Sequence, residues 1–376
     1  MKLRYLSSQF LSLIILLSVF IFYLVLFSSC SSKHEKNIKF EISIFNNSLP
    51  SLNSSQFVSD VNLIPLETNS KNSIGSITKL IKTDDKFFIL DAKSAKKIFV
   101  FGNDGHFLYS FGNLGKGPGE YLNIMDFSID FKYNYIIFLD DERKIIKTDL
   151  EGNFIIEKRV PKECKSLINI VAQNGKIYAY SGIQPGNEKK YQIIQLDKNL
   201  DPVKYLLPYE YPFPGLRRFN NSIYSFDKNI YFVSFYDNII YQMRDDIFEK
   251  RYVLNFSGKE LSLKGLTSEQ FIENKHNAFL FNSCVEGDDI IFLPIFDRGR
   301  PKYGFLKKRD NKFFLIEKII QGTPPFCVPI SCYKNRFIST IESQVFEQYF
   351  PGSNIKPGEM DNPIIVEYKM SFLNEE

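Results

Sequence analysis

Gly115-Lys116-Gly117-Pro118-Gly119-Glu120-Tyr121 lies between two near copies of one apolar run. Upstream stands Phe87-Phe88-Ile89-Leu90-Asp91, and downstream Ile136-Ile137-Phe138-Leu139-Asp140. A short apolar run bounded by turn residues reads as a strand buried on both faces. Recurrence of that strand across a long glycine-rich connection marks a repeat β-structure and predicts a β-propeller.

Working outward, a unit of roughly 45–50 residues recurs, as repeat architectures require. Its first copy holds Ile77–Leu80, a turn at Asp84-Asp85, Phe87–Leu90, Ile98–Phe101, a turn at Asp104-Gly105, and Phe107–Phe111. An Asp-Gly pair between alternating strands is a strong hairpin cue. The second copy runs Met125–Ile129, Tyr135–Leu139, Ile145–Thr148 and Phe154–Glu157, with Glu151-Gly152 in the turn. Later copies are more degenerate. The sixth, from Cys327–Cys332 through Pro363–Phe372, ends one strand short. Val61-Asn62-Leu63-Ile64-Pro65-Leu66 supplies that strand from the N-terminal side, closing the ring and removing the open seam. The expected fold is all-β, a six-bladed β-propeller over 56–376 with its last blade closed by an N-terminal strand. Thr267–Asn277 is expected as a helical insertion. A sandwich rarely needs so many strands, and a β-helix repeat would be shorter.

Composition agrees. The chain has 37 Phe and 21 Tyr but no Trp, which is β-forming chemistry. At the N-terminus, Lys2 and Arg4 precede an apolar stretch from Phe10 to Phe27, followed by Ser28-Ser29-Cys30. This resembles a bacterial lipobox, with Phe27 a looser residue than the usual aliphatic one. The resemblance implies a signal peptide over 1–29, lipidation of Cys30 and a tether over 30–55. An uncleaved anchor is the alternative, since ~18 apolar residues is the lower limit for crossing a bilayer. Either places the bulk of the chain outside the cytoplasm. A periplasm-facing position, on the outer membrane sooner than the inner, is the expectation.

Loss of residues 1–29 removes two bases and no acid, lowering the formal charge from +4 to +2. Nothing there favours nucleic acid. Cys164, Cys284, Cys327 and Cys332 are scattered singly and read as buried thiols. His34, His106 and His276 are the only histidines, with His34 in the tether and His106 in a short turn on the face opposite the long loops, which argues against a multi-histidine metal centre. No nucleophile motif is present, so no residue is given a catalytic role, and no cofactor or metal is expected.

In an up-and-down blade, the loops joining strands two and three lie on the same face of the disc as the connections to the next blade. That face carries every long insertion: 112–123, 208–219, 257–277 and 343–362. Long loops on a rigid scaffold concentrate binding residues. The expected ligand or partner contacts are therefore Lys116, Glu120 and Tyr121 of the glycine-rich loop, Tyr211 with Arg217 and Arg218, and Arg298 with Arg300. Guanidinium forks suit oxyanions. The plainer reading makes the glycine-rich loop a shaped connection, with Glu120 bonding its amides and Tyr121 packing. Asp91 and Asp140, ending equivalent strands, are expected to cap the loops that follow.

Ile64-Pro65-Leu66-Glu67-Thr68, Ile74–Ile77, Gly115–Tyr121 and Asp237–Tyr241 together resemble six-bladed β-propeller lipoproteins related to NHL-repeat proteins. The likeness covers roughly 55–372. It implies a secreted or membrane-tethered propeller and leaves the activity open. The expected function is a membrane-anchored binding module for an envelope protein, a peptide or a glycan. An NHL-like hydrolase or lyase with a carboxylate–arginine pocket is the alternative.

Overall fold

Alternate residues of the Phe87–Asp91 run face opposite seams, which is why the run is apolar throughout. Phe88 and Leu90 pack toward the second blade, while Phe87 and Ile89 pack toward the sixth. Six hydrophobic clusters fill the six seams in this way. Fully burying each such side chain contributes about 1.5–3 kcal/mol.

The computed structural model describes residues 40–141, 144–159, 167–181, 191–209, 222–234, 237–260, 267–274, 279–280, 283–297 and 300–372. The predicted six-bladed propeller is what they form. From the axis outward, the first blade comprises Lys79–Lys82, Lys86–Asp91, Lys97–Gly102 and Phe107–Phe111. The second comprises Ile124–Asp130, Tyr135–Asp140, Lys144–Asp149 and Phe154–Arg159. Leu167–Gln173, Lys176–Ser181, Tyr191–Leu196 and Pro202–Pro208 make the third. The fourth has Ile223–Phe226, Asn229–Ser234, Ile239–Arg244 and Ile247–Asn255. In the fifth, two short inner pieces, Phe279–Leu280 and Val285–Glu286, precede Ile290–Asp297, Arg300–Lys307 and Lys312–Ile320. The sixth holds Ser331–Tyr333, Arg336–Ile341 and Ile364–Met370.

Val58–Pro65 completes the sixth blade, antiparallel to Ile364–Met370, as the missing strand requires. Sequence placed residues 40–53 in the tether, and they too are paired. Phe40–Ser43 lies parallel on the outer strand of the fourth blade, and Ser48–Asn53 parallel on that of the fifth. Ile42 and Ile44 are buried there, and Leu49 and Leu52 pack on the next seam. The N-terminal segment thus straps three consecutive blades.

One boundary differs from the sequence reading. The strand expected over Cys327–Cys332 begins at Ser331. Cys284 and Cys327 are buried free thiols and Cys332 is partly buried. The expected helical insertion appears as Ser268–Glu273, with a capping box in which Thr267 accepts from the Gln270 amide. Among the described residues no helix is long and apolar enough to cross a membrane.

Candidate functional site

The glycine-rich loop is satisfied from within. Glu120 accepts from the Gly117 amide at 2.7 Å, and Glu157 accepts from the Gly119 amide at 2.8 Å. Lys144 reaches back to the Gly117 carbonyl and to Glu157 at 3.2 Å. Tyr121 is wholly buried, donating to the Lys96 carbonyl, and burial raises its phenol well above the usual value. Gly112 needs its positive φ of 123°, and any Cβ there would strike the Tyr121 hydroxyl. Two amides suited to an anion are therefore already held by carboxylates, and of the three expected contacts, Lys116, Glu120 and Tyr121, only Lys116 stands exposed.

Asp91 caps the loop that follows it, as expected, while Asp140 among the described residues holds the connection that precedes its blade. Asp91 accepts from the amides of Gly75, Ser76, Lys93 and Ser94, at 2.8 to 3.3 Å. Asp140 accepts from Leu122 and Asn123. Each ties an incoming interblade connection to the end of a central strand. Arg300 is exposed at the start of a strand, opposite Asp297, whose partner is Lys302 at 2.6 Å. Cys30, Tyr211, Arg217, Arg218, Arg298 and His276 lie outside the described residues.

The central channel forms a cavity of about 930 Å³, lined by the innermost strands of all six blades. It reaches the turns between first and second strands: Lys82, Phe131 and Lys132, Asn174, Asp227 and Lys228, Asp288, and Lys334. This turn face is opposite the long loops. An innermost strand has no sheet neighbour on its axial side, so its outward N–H and C=O groups need water or a ligand.

The channel wall is laced across every seam. Lys79 meets Asp126 at 2.8 Å between blades one and two, and Asp126 accepts from the Ile170 amide of blade three. Asn169 accepts from the Ser222 amide, joining blades three and four. Asn335 accepts from the Asp288 amide between five and six, and Lys82 pairs with Glu367 between one and six. Between four and five, the buried Glu286 takes Arg251 through both guanidinium arms at 2.9 Å, Lys308 at 2.8 Å and the Tyr224 hydroxyl. Burial opposes the Arg251 charge, and Glu286 outweighs that, raising its pKa. Cys284, beside them, has its thiol pushed up by burial.

Two acids are held above the carboxylate range by burial, Asp237 and Glu342. They stand in loops between second and third strands, and neither lines the channel. Among the described residues no cluster of His, Cys, Asp and Glu is arranged to hold a metal ion.

Residues 36–369 match the model of a family described as a domain of unknown function, DUF4934. The chain belongs to that family. No curated protein matches it. Among solved structures, this DUF4934 chain is similar to a Bacteroides fragilis protein assigned as exported, with 16% identity and a TM-score of 0.67. The match covers 88% of this chain and 100% of the other. It is also similar to a DUF4221 family member from Bacteroides vulgatus, at 9% identity and a TM-score of 0.54, covering 84% and 97%. At such identities the likeness shows the fold alone.

Sequence reasoning about this DUF4934 chain missed the mouth residues. A signal does exist: an aromatic residue followed by lysine at the first turn of alternate blades. Phe131-Lys132 stands on the second blade, Phe226-Asp227-Lys228 on the fourth and Tyr333-Lys334 on the sixth. Lys228 and Lys334 adopt φ of 58° and 46°, in two-residue turns that favour Asn or Gly. Lysine there costs backbone energy that Gly would not.

Proposed function

We propose that this protein is an extracytoplasmic propeller, anchored through lipidated Cys30 on the periplasmic side of the outer membrane, that binds its ligand in the central channel. The lipobox-like segment and the fold shared with a relative assigned as exported support the placement. The relationship to NHL-repeat proteins suggested by Gly115–Tyr121 belongs to the same reading.

One observation carries recognition over chemistry: the charges of the channel wall below its mouth are already paired. Lys79, Lys82 and Glu286 spend their charge on neighbouring blades, which makes a rigid, preformed wall. A hydrolase or lyase calls for a perturbed acid beside the axis. Asp237 and Glu342 are perturbed, but stand off the channel.

Ser225 lines the channel, is exposed and belongs to an inner strand, so a large residue there would fill the lumen without entering a seam. Full-length wild type, Ser225→Trp and Arg217→Ala/Arg218→Ala would be crosslinked gently in the envelope and purified. Loss of bound material in Ser225→Trp, with retention in the double arginine variant, is the expected result. Retention by Ser225→Trp with loss in the arginine variant would move the site to the long-loop face.

A further inference from the structure

We propose that the occupant of the channel mouth is the end of a neutral glycan chain, an inference that rests on the binding reading above. Three features of the turn face lead there.

The first is the alternation of surface chemistry around the axis. Blades two, four and six present aromatic side chains: Phe131, 51% exposed, and the half-buried Phe226 and Tyr333. Blades three and five present Asn174 and Asp288 between them. A sugar ring has an apolar C–H face and a hydroxyl-bearing rim. Aromatic faces suit the former, and amide and carboxylate groups suit the latter, because a hydroxyl both donates and accepts.

The second is which groups are unspent. Among the described residues, the side chains of Asn174, Asp227, Lys228 and Asp288 make no hydrogen bond or ion pair, whereas Lys79, Lys82 and Glu286 of the deeper wall are engaged. Lys132 contacts only the Tyr133 ring, at 5.5 Å. Two ammonium and two carboxylate groups cancel, so the mouth selects against strongly charged chains.

The third is the backbone cost already met at Lys228, whose left-handed conformation holds a polar side chain at the rim where glycine would be easier. A peptide would satisfy its main chain along one inner strand only and leave the remaining edges bare. Hydroxyls distributed around a sugar serve several blades together.

The chain has no tryptophan, so Phe226→Trp creates a sole tryptophan reporter, excited selectively over the 21 tyrosines, at the mouth and keeps an aromatic face there. This variant of the full chain would be titrated with cellotetraose, maltotetraose, mannotetraose and chitotetraose, and separately with a mixed hexapeptide pool. A saturable emission change with at least one tetrasaccharide is expected. Asn174→Gly, which the left-handed turn accepts, and Asp288→Ala, each added to the reporter, should weaken it about tenfold, the loss of one hydrogen bond's net worth. Their urea midpoints should match the reporter alone, which excludes misfolding. A response to peptides and to no glycan overturns the glycan assignment and leaves channel binding standing. A response to neither overturns both.

Discussion

Tyr224 and Glu286 meet across the seam between the fourth and fifth blades, the phenol donating to the carboxylate at 2.9 Å. Glu286 is buried and also collects Arg251 and Lys308, so one carboxylate ties an inner strand, an outer strand and a turn together. Arg251 is itself held over the rings of Tyr231 and Tyr252, at 4.5 and 4.9 Å. Phe40 of the N-terminal strap stacks on Tyr252. The channel wall and the strap are thus connected through two side chains.

Glu286→Gln should destabilise the chain by about 3 kcal/mol, at the low end for breaking a buried ion pair because Lys308 keeps some solvent. Tyr224→Phe should cost about 1 kcal/mol, one ordinary hydrogen bond. Urea unfolding of the two variants and their double mutant gives both values and the coupling between them. A Glu286→Gln cost no larger than that of Tyr224→Phe would show that the network does not hold the seam.

Asp91→Ala should destabilise the chain, because the amides of Gly75, Ser76, Lys93 and Ser94 lose their acceptor together. A cost of about 2 kcal/mol follows if one of them stays dry. Thermal and urea midpoints of the variant beside the wild type decide it, and an unchanged midpoint would mean water reaches the Asp91 loop.

The blades were legible because a strand packed on both faces writes itself as a continuous apolar run, and Phe87–Asp91 and Ile136–Asp140 did so twice over. Closure by Val58–Pro65 was legible from a missing strand rather than from the strand itself. Phe40–Ser43 and Ser48–Asn53 were not, for a physical reason. A parallel strand laid on an outer edge buries few residues, here Ile42 and Leu52 among polar neighbours, and has no adjacent hairpin partner to announce it. The glycine-rich loop advertised itself locally, and its structural reading is how its amides are spent. The mouth is assembled from one or two residues on each of six turns, so its pattern emerges only once the blades are aligned.

Acid should loosen the closing strand. Lys369 and Arg336 hold the Asp60 carboxyl below its usual value of 3.8, so this group binds protons less tightly when folded. Its contribution is present above that value and is lost as pH falls through the lower folded one. Amide exchange across Val58–Pro65, corrected for intrinsic rates, should accelerate in that window, and Asp60→Asn should remove part of the acceleration. Identical pH profiles for the two chains would assign the acid sensitivity elsewhere.

Asp237 carries the opposite sign. Burial is the leading cause of its raised pKa, and the hydrogen bond from Tyr241 only partly offsets it. Its Oδ1 has no hydrogen-bond partner among the described residues. A carboxyl that binds its proton more tightly when folded makes stability fall as pH rises from the usual 3.8 through the raised folded value. Asp237→Asn keeps an acceptor for Tyr241 and removes the ionisation. The variant should equal the wild type in stability below that window and exceed it above, with the gap opening across the window. Urea unfolding at a series of pH values measures that gap. A variant less stable than wild type at neutral pH would mean that the ionised carboxylate is the form this loop is built to hold.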